Sequence, residues 1–182
     1  MTYSRFITGT TEAEQDIQTN KWHTCHNQLF MDSDGSIYLV PRNEETDGYT
    51  YPLGGKMASW DIRPAIGHDL ECRYHQKILV KLSYLDLMKR AYVKNKTVKN
   101  KGILVCTDIP PEFLEVLPTT FWETNARFKR MMEALRIPSF WVYTMYLGVH
   151  LNVGWLSWLA KKWFRNKPKY FNMNEIYKEV ES

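Results

Sequence analysis

The segment Leu29–Val40 constrains the fold most. Leu29-Phe30-Met31 runs into Asp32-Ser33-Asp34-Gly35, and Ser36-Ile37-Tyr38-Leu39-Val40 runs out of it. Aspartate and glycine suit a tight reversal, and the flanks are apolar, β-branched or aromatic. The stretch therefore reads as an antiparallel hairpin. Pro41 has no N–H to donate and ends the second strand.

Helical signals follow. A first helix starts near Asp61 and Pro64 and runs to about His75, with Asp61 as N-cap and Pro64 in the first turn. A second runs from about Thr120 to Arg136. Thr120 and Glu123 form a capping box there, and Phe121, Phe128, Met132 and Leu135 form an apolar stripe. A third starts at Pro138 and extends as far as Trp163. Between the first two, Lys77 to Val93 is ambiguous, with Ile78-Leu79-Val80 reading as strand or as continued helix. Lys94 to Gly102 reads as a basic loop, and Ile103–Cys106 as a short strand closed by Pro110-Pro111.

Residues 1–22 read as a polar lead-in with a short helix near Glu12–Gln18. Arg42 to about Ser59 reads as one long irregular loop holding Thr46-Asp47-Gly48, Pro52 and Gly54-Gly55, and loops of that length are often functional. The chain has 182 residues, enough for one core and short of two. The expectation is a single α+β domain over 1–182, with a tail at 168–182. In it, a small N-terminal antiparallel hairpin or sheet packs on a bundle of three to four α-helices.

Composition narrows the function classes. The net charge of +4 is too small to imply a nucleic-acid partner without a localised patch. The basic run Lys89-Arg90, Lys94, Lys96, Lys99, Lys101 has only Tyr92 within it and reads as a solvated loop, so no nucleic acid is expected. Cys25, Cys72 and Cys106 are scattered behind a polar N-terminus, which speaks for a reducing compartment over a disulfide framework. Residues 139–160 lack Asp, Glu, Lys and Arg and are long enough to span a bilayer. His150, Asn152, Thr144, two Ser and two Gly dilute that stretch, so a buried helix is read ahead of membrane contact. Phosphate-loop, dinucleotide, nucleophile-elbow and paired-cysteine zinc motifs are absent.

One polar centre stands out. His68-Asp69 lies on the first helix, and Asn125 falls on the apolar stripe of the second, where a buried amide needs a hydrogen-bond partner. With Asp47 from the long loop these residues form a candidate catalytic set: His68 as base, Asp69 or Asp47 to orient it or hold a cation, and Asn125 to fix the ring. The structural reading is that His68 bonds Asn125 and Asp69 ties down the loop. A divalent cation is the alternative. His68, Cys72 and His75 share a helix face at i, i+4 and i+7, and His23, Cys25 and His26 form a second small cluster.

These motifs resemble, in order and spacing, a family of phage and prophage domains of unknown function. Its members carry V-P-x-G-F-x-T-D-x-A-S-I-P, then H-D-x-L-Y, then a helix with Asp and Phe. Here Val40-Pro41, Thr46-Asp47, Pro52, His68-Asp69 and Asn125 with Phe128 stand at matching places, and Met145-Tyr146, Val149, Gly154 and Trp155 match the closing helix. Asn43-Glu44 replaces Gly-Phe, Tyr49-Thr50-Tyr51 replaces Ala-Ser-Ile, Cys72 replaces Tyr and Asn125 replaces Asp. The helix pair is also similar in outline to secreted phospholipases A2, without their calcium loop or disulfides. The resemblance implies a phage-encoded accessory or virion-associated protein, in the virion or the host cytoplasm, and the aromatic, mildly basic character of the chain suits docking onto other phage proteins. A His-Asp hydrolase acting on cell wall, lipid or nucleotide is the alternative, and a host-directed binding protein the third.

Overall fold

The computed structural model describes residues 4–7, 13–16, 18–19, 21–46, 49–50, 56–57, 61–87 and 109–151. The expectations for Asp47, the basic run 89–102, the strand at 103–106, the extension of the third helix beyond Leu151 and the C-terminal tail lie outside these residues.

The fold is α+β. A five-stranded antiparallel sheet has the order β1 (Arg5–Phe6), β4 (Gln28–Met31), β5 (Ile37–Val40), β9 (Gln76–Val80), β10 (Leu114–Pro118). The expected hairpin is its centre: Leu29 faces Leu39 and Phe30 faces Tyr38 across β4 and β5. Gly35 takes the positive φ of 86° that closes the turn, where it costs no Cβ clash. β5 lies between two strands and is covered on both faces, so all four of its residues are buried. This is why Ile37-Tyr38-Leu39-Val40 is apolar without alternation.

Period-two geometry then divides the core. Leu29, Ile37 and Leu39 join Ile78, Val80, Tyr84 and Ile109 on one face. Phe30, Tyr38 and Val40 turn to the other face, where they meet Met131 of α3 (Phe121–Ala134) and Ile66 and Leu70 of α1 (Arg63–Tyr74). Gly67 lies where α1 comes closest: an added Cβ would sit 3.3 Å from the Met131 sulfur and 3.4 Å from Val40. Ala65, Phe128, Met132, Val142 and Met145 fill the space among α1, α3 and α4 (Ser139–Leu151).

Several expectations change. The lead-in is not a helix: β1 joins the main sheet, and β2 (Ala13–Asp16) pairs with β3 (Lys21–Thr24), because Asp16 caps a turn by accepting from Gln18 N and the Thr19 hydroxyl. The long loop holds β6 (Glu45–Thr46), which pairs with β3, and the pair β7 (Tyr49–Thr50) and β8 (Lys56–Met57). In the ambiguous stretch Ile78-Leu79-Val80 is strand, the end of β9 (Gln76–Val80), and a helical segment, α2, follows at 82–87, while 88–93 lie outside the described residues.

β10 was missed because Leu114-Glu115-Val116-Leu117-Pro118 is short, follows a 3-10 turn at Pro111–Phe113 and is bounded by prolines. It is an edge strand, where its proline is tolerated. Ile62, not Asp61, is the N-cap of α1. Asp61 sits one residue further out, accepting from Arg63 N at 3.1 Å and pairing with its guanidinium. The Thr120–Glu123 capping box forms as read from the sequence.

A candidate polar centre between α1 and α3

The helices α1 and α3 meet along a line of polar groups. His68 Nε2 donates to Asn125 Oδ1 at 2.9 Å. The amide oxygen accepts, so the ring's other nitrogen, Nδ1, is the one left to work. It lies 3.6 Å from Asp69 Oδ1 and 3.8 Å from Cys72 Sγ, and the same sulfur is 3.6 Å from Nε2. The Phe128 ring packs on the imidazole with centroids 4.7 Å apart. His68 is 13% exposed and Asn125 is fully buried.

The loop comes down onto α1 through Thr46, whose hydroxyl donates to Asp69 Oδ2 at 2.5 Å. Arg73 extends the seam, donating to the Glu45 carbonyl at 2.8 Å and pairing with Glu44 at 3.0 Å. His68, Asp69 and Asn125 are therefore brought together, whereas Asp47 lies just beyond the described residues.

The metal trio does not assemble. Among the described residues no group of three or more His, Cys, Asp or Glu stands close enough to hold an ion. The helix ends at Tyr74, and His75 takes the left-handed cap conformation (φ 55°, ψ 29°), which breaks the i, i+4, i+7 phase. The His23, Cys25, His26 cluster fails likewise, with His23 in β3 and its two neighbours in the bend that follows.

Beside the imidazole lies a group that the sequence reading missed. Glu71 and Arg127 form a buried ion pair, and Glu71 also accepts from the Thr124 hydroxyl at 2.8 Å. The Arg127 guanidinium covers the Tyr38 ring at 3.9 Å, which ties both helices to β5. Asp32 in the hairpin turn is also buried, held by a two-pronged contact from Arg130 of α3 at 2.7 Å on each oxygen. The signal that singles out Asn125 also marks these residues: Thr124 and Arg127 lie on or beside the α3 stripe, and Glu71 follows Gly67 and Leu70 on α1.

Electrostatics follow from burial and partners. Burial works against a charge on His68, but the Cys72 sulfur and the Asp69 carboxylate outweigh it and hold the imidazole well above its usual range. Burial pushes the Glu71 carboxyl up despite Arg127. For Asp32 burial also raises, but the Arg130 contact and the Ser33 amide prevail, and its carboxyl is lowered. Chemically, the centre offers one oriented imidazole, a neighbouring thiol and a carboxylate, all mostly enclosed.

No helix among the described residues is long and apolar enough to cross a membrane. No protein-family model, curated protein or solved structure matches the chain.

Proposed function

We propose that the chain is a phage-encoded accessory protein, associated with the virion, that works by docking onto another protein of the particle. The observation that carries this reading is the outer face of α4. Phe140, Tyr143 and Leu147 fall within about 60° of arc on that helix and are 70%, 54% and 47% exposed. Its opposite face, with Val142 and Met145, is already buried against α1 and α3. A helix apolar all round is suited to burial on every side, and exposed aromatic and aliphatic rows are what protein partners cover. The polar centre is consistent with such a scaffold, since Asn125 bonds His68, Thr46 bonds Asp69 and Arg127 pairs with Glu71.

Gradient sedimentation of assembled particles tests this reading. The chain is expected to travel with the particles. Phe140→Glu with Leu147→Glu is expected to leave it at the top of the gradient while its unfolding midpoint stays unchanged. A native chain that stays at the top overturns the reading.

One arrangement favours the hydrolase as a second reading: the imidazole is fixed through Nε2 by Asn125 while Nδ1 faces Asp69. Cell wall, lipid and nucleotide are its candidate substrates.

A further inference from the structure

The small sheet β2-β3-β6 is an arm of the central hairpin. In the main sheet Gln28 faces Val40 and Leu29 faces Leu39, and beyond them His23 faces Glu45 and Trp22 faces Thr46. All four pairs fit one register, so β3 and β6 continue the ladder of β4 and β5 past an interruption at 25–27 and 41–44. The chain bends there. Pro41 has no N–H for the ladder, and Asn43 takes a left-handed φ of 63°, which asparagine tolerates better than most residues. Side chains meet the backbone groups that the broken ladder leaves over: the Thr24 hydroxyl donates to the Pro41 carbonyl at 2.8 Å, and Arg42 N donates to Asn27 Oδ1 at 2.9 Å.

The contacts that fix this arm on α1 are polar. Thr46 donates to Asp69, and Arg73 pairs with Glu44 and donates to the Glu45 carbonyl. None of the apolar clusters among the described residues includes a side chain of β2, β3 or β6. The main sheet, by contrast, is joined to α1 and α3 through Phe30, Tyr38, Val40, Ile66, Leu70 and Met131. Elements with few buried apolar contacts open at low cost.

We infer that β2, β3 and β6 form a flap over the Asp69 side of α1, hinged at 25–27 and 41–44, which a rise in pH toward neutrality releases. The trigger is the Glu44 carboxyl, enclosed between flap and helix. The charged and titratable groups around it are Arg73 and Asp69 on α1, Glu45 on β6, and Lys21 and His23 on β3. Lys21 pairs with Glu45 at 2.9 Å and Thr46 occupies Asp69, so Arg73 is the cation left to Glu44. In the closed flap burial outweighs Arg73 and raises this carboxyl from 4.5 to about 7, whereas in the open flap it regains water and its ordinary value. The closed form therefore holds a proton that the open form has released. Closure is favoured fully below 4.5 and weakens as pH rises toward 7. Opening frees Asp69 Oδ2 from Thr46, and the other oxygen of that carboxylate faces His68 Nδ1, so the flap controls access to the polar centre. The inference is independent of docking through α4.

The experiment places a reporter thiol under the flap with Thr46→Cys, in the full chain carrying Cys25→Ser, Cys72→Ser and Cys106→Ser. Its reaction with 4,4′-dithiodipyridine is compared at each pH with that of a cysteine in a short unstructured peptide, which removes the thiol's own titration. Protection relative to the peptide is expected to fall about 40-fold between pH 5 and 7. It is expected to stay flat with Glu44→Gln added. Low urea, well below the unfolding midpoint, is expected to leave both rates unchanged, because a flap opening exposes little surface. Protection that is constant in pH, that falls equally with Glu44→Gln, or that drops steeply in low urea overturns the inference.

Discussion

Glu44 shows how a single residue sets its own titration. It stands at the mouth of the seam between β6 and α1, paired with Arg73 at 3.0 Å. Burial nevertheless outweighs that partner, and its carboxyl is raised from 4.5 to about 7. The folded state therefore holds a proton that the unfolded chain has released, and stability is highest below the unfolded value and falls as pH rises toward the folded one. Between pH 4.5 and 7 the chain is expected to lose about 2 to 3 kcal/mol that Glu44→Gln does not lose. Urea titrations of both chains across that window check this, and parallel curves would refute it. Sequence could not reveal this behaviour. Glu44 lies in a polar stretch, and its enclosure comes from Arg73, which is 29 residues away. His68 and Asn125 were legible because an amide on an apolar stripe announces that it needs a partner.

At the scale of elements, α1 and α3 are joined by a charged pair inside an apolar seam. Glu71 and Arg127 are 7% and 3% exposed. Removing one partner strands a buried charge, whereas removing both restores an apolar interface. Arg127→Met is expected to cost about 3 to 5 kcal/mol, and Glu71→Leu with Arg127→Met clearly less. Equal or additive losses in chemical denaturation would show that the pair is not enclosed. The helices themselves were readable from Thr120, Glu123, Pro64 and the stripe spacing, because these signals are local. β1, β6 and β10 were not. Each is a short strand whose identity comes from the neighbour it pairs with, Phe6 on Phe30, Thr46 on Trp22 and Val116 on Ile78, and such pairing leaves little trace in the strand's own residues.

For the molecule as a whole, one sheet is covered on one face by α1 and α3, with α4 packed outside them and its Phe140 row exposed. Polar groups that would weaken an apolar core are gathered where the two inner helices meet, and Phe140, Tyr143 and Leu147 are left outward on α4. This architecture rests on contacts far apart in the chain, and the His68–Asn125 hydrogen bond spans 57 residues. The most direct test is a double-mutant cycle of His68→Ala and Asn125→Ala, read by urea unfolding. If the two side chains meet in the interior, the cycle returns a coupling of about 1 to 2 kcal/mol within one cooperative transition. A coupling indistinguishable from zero, with each single variant nearly as stable as the parent, would contradict it.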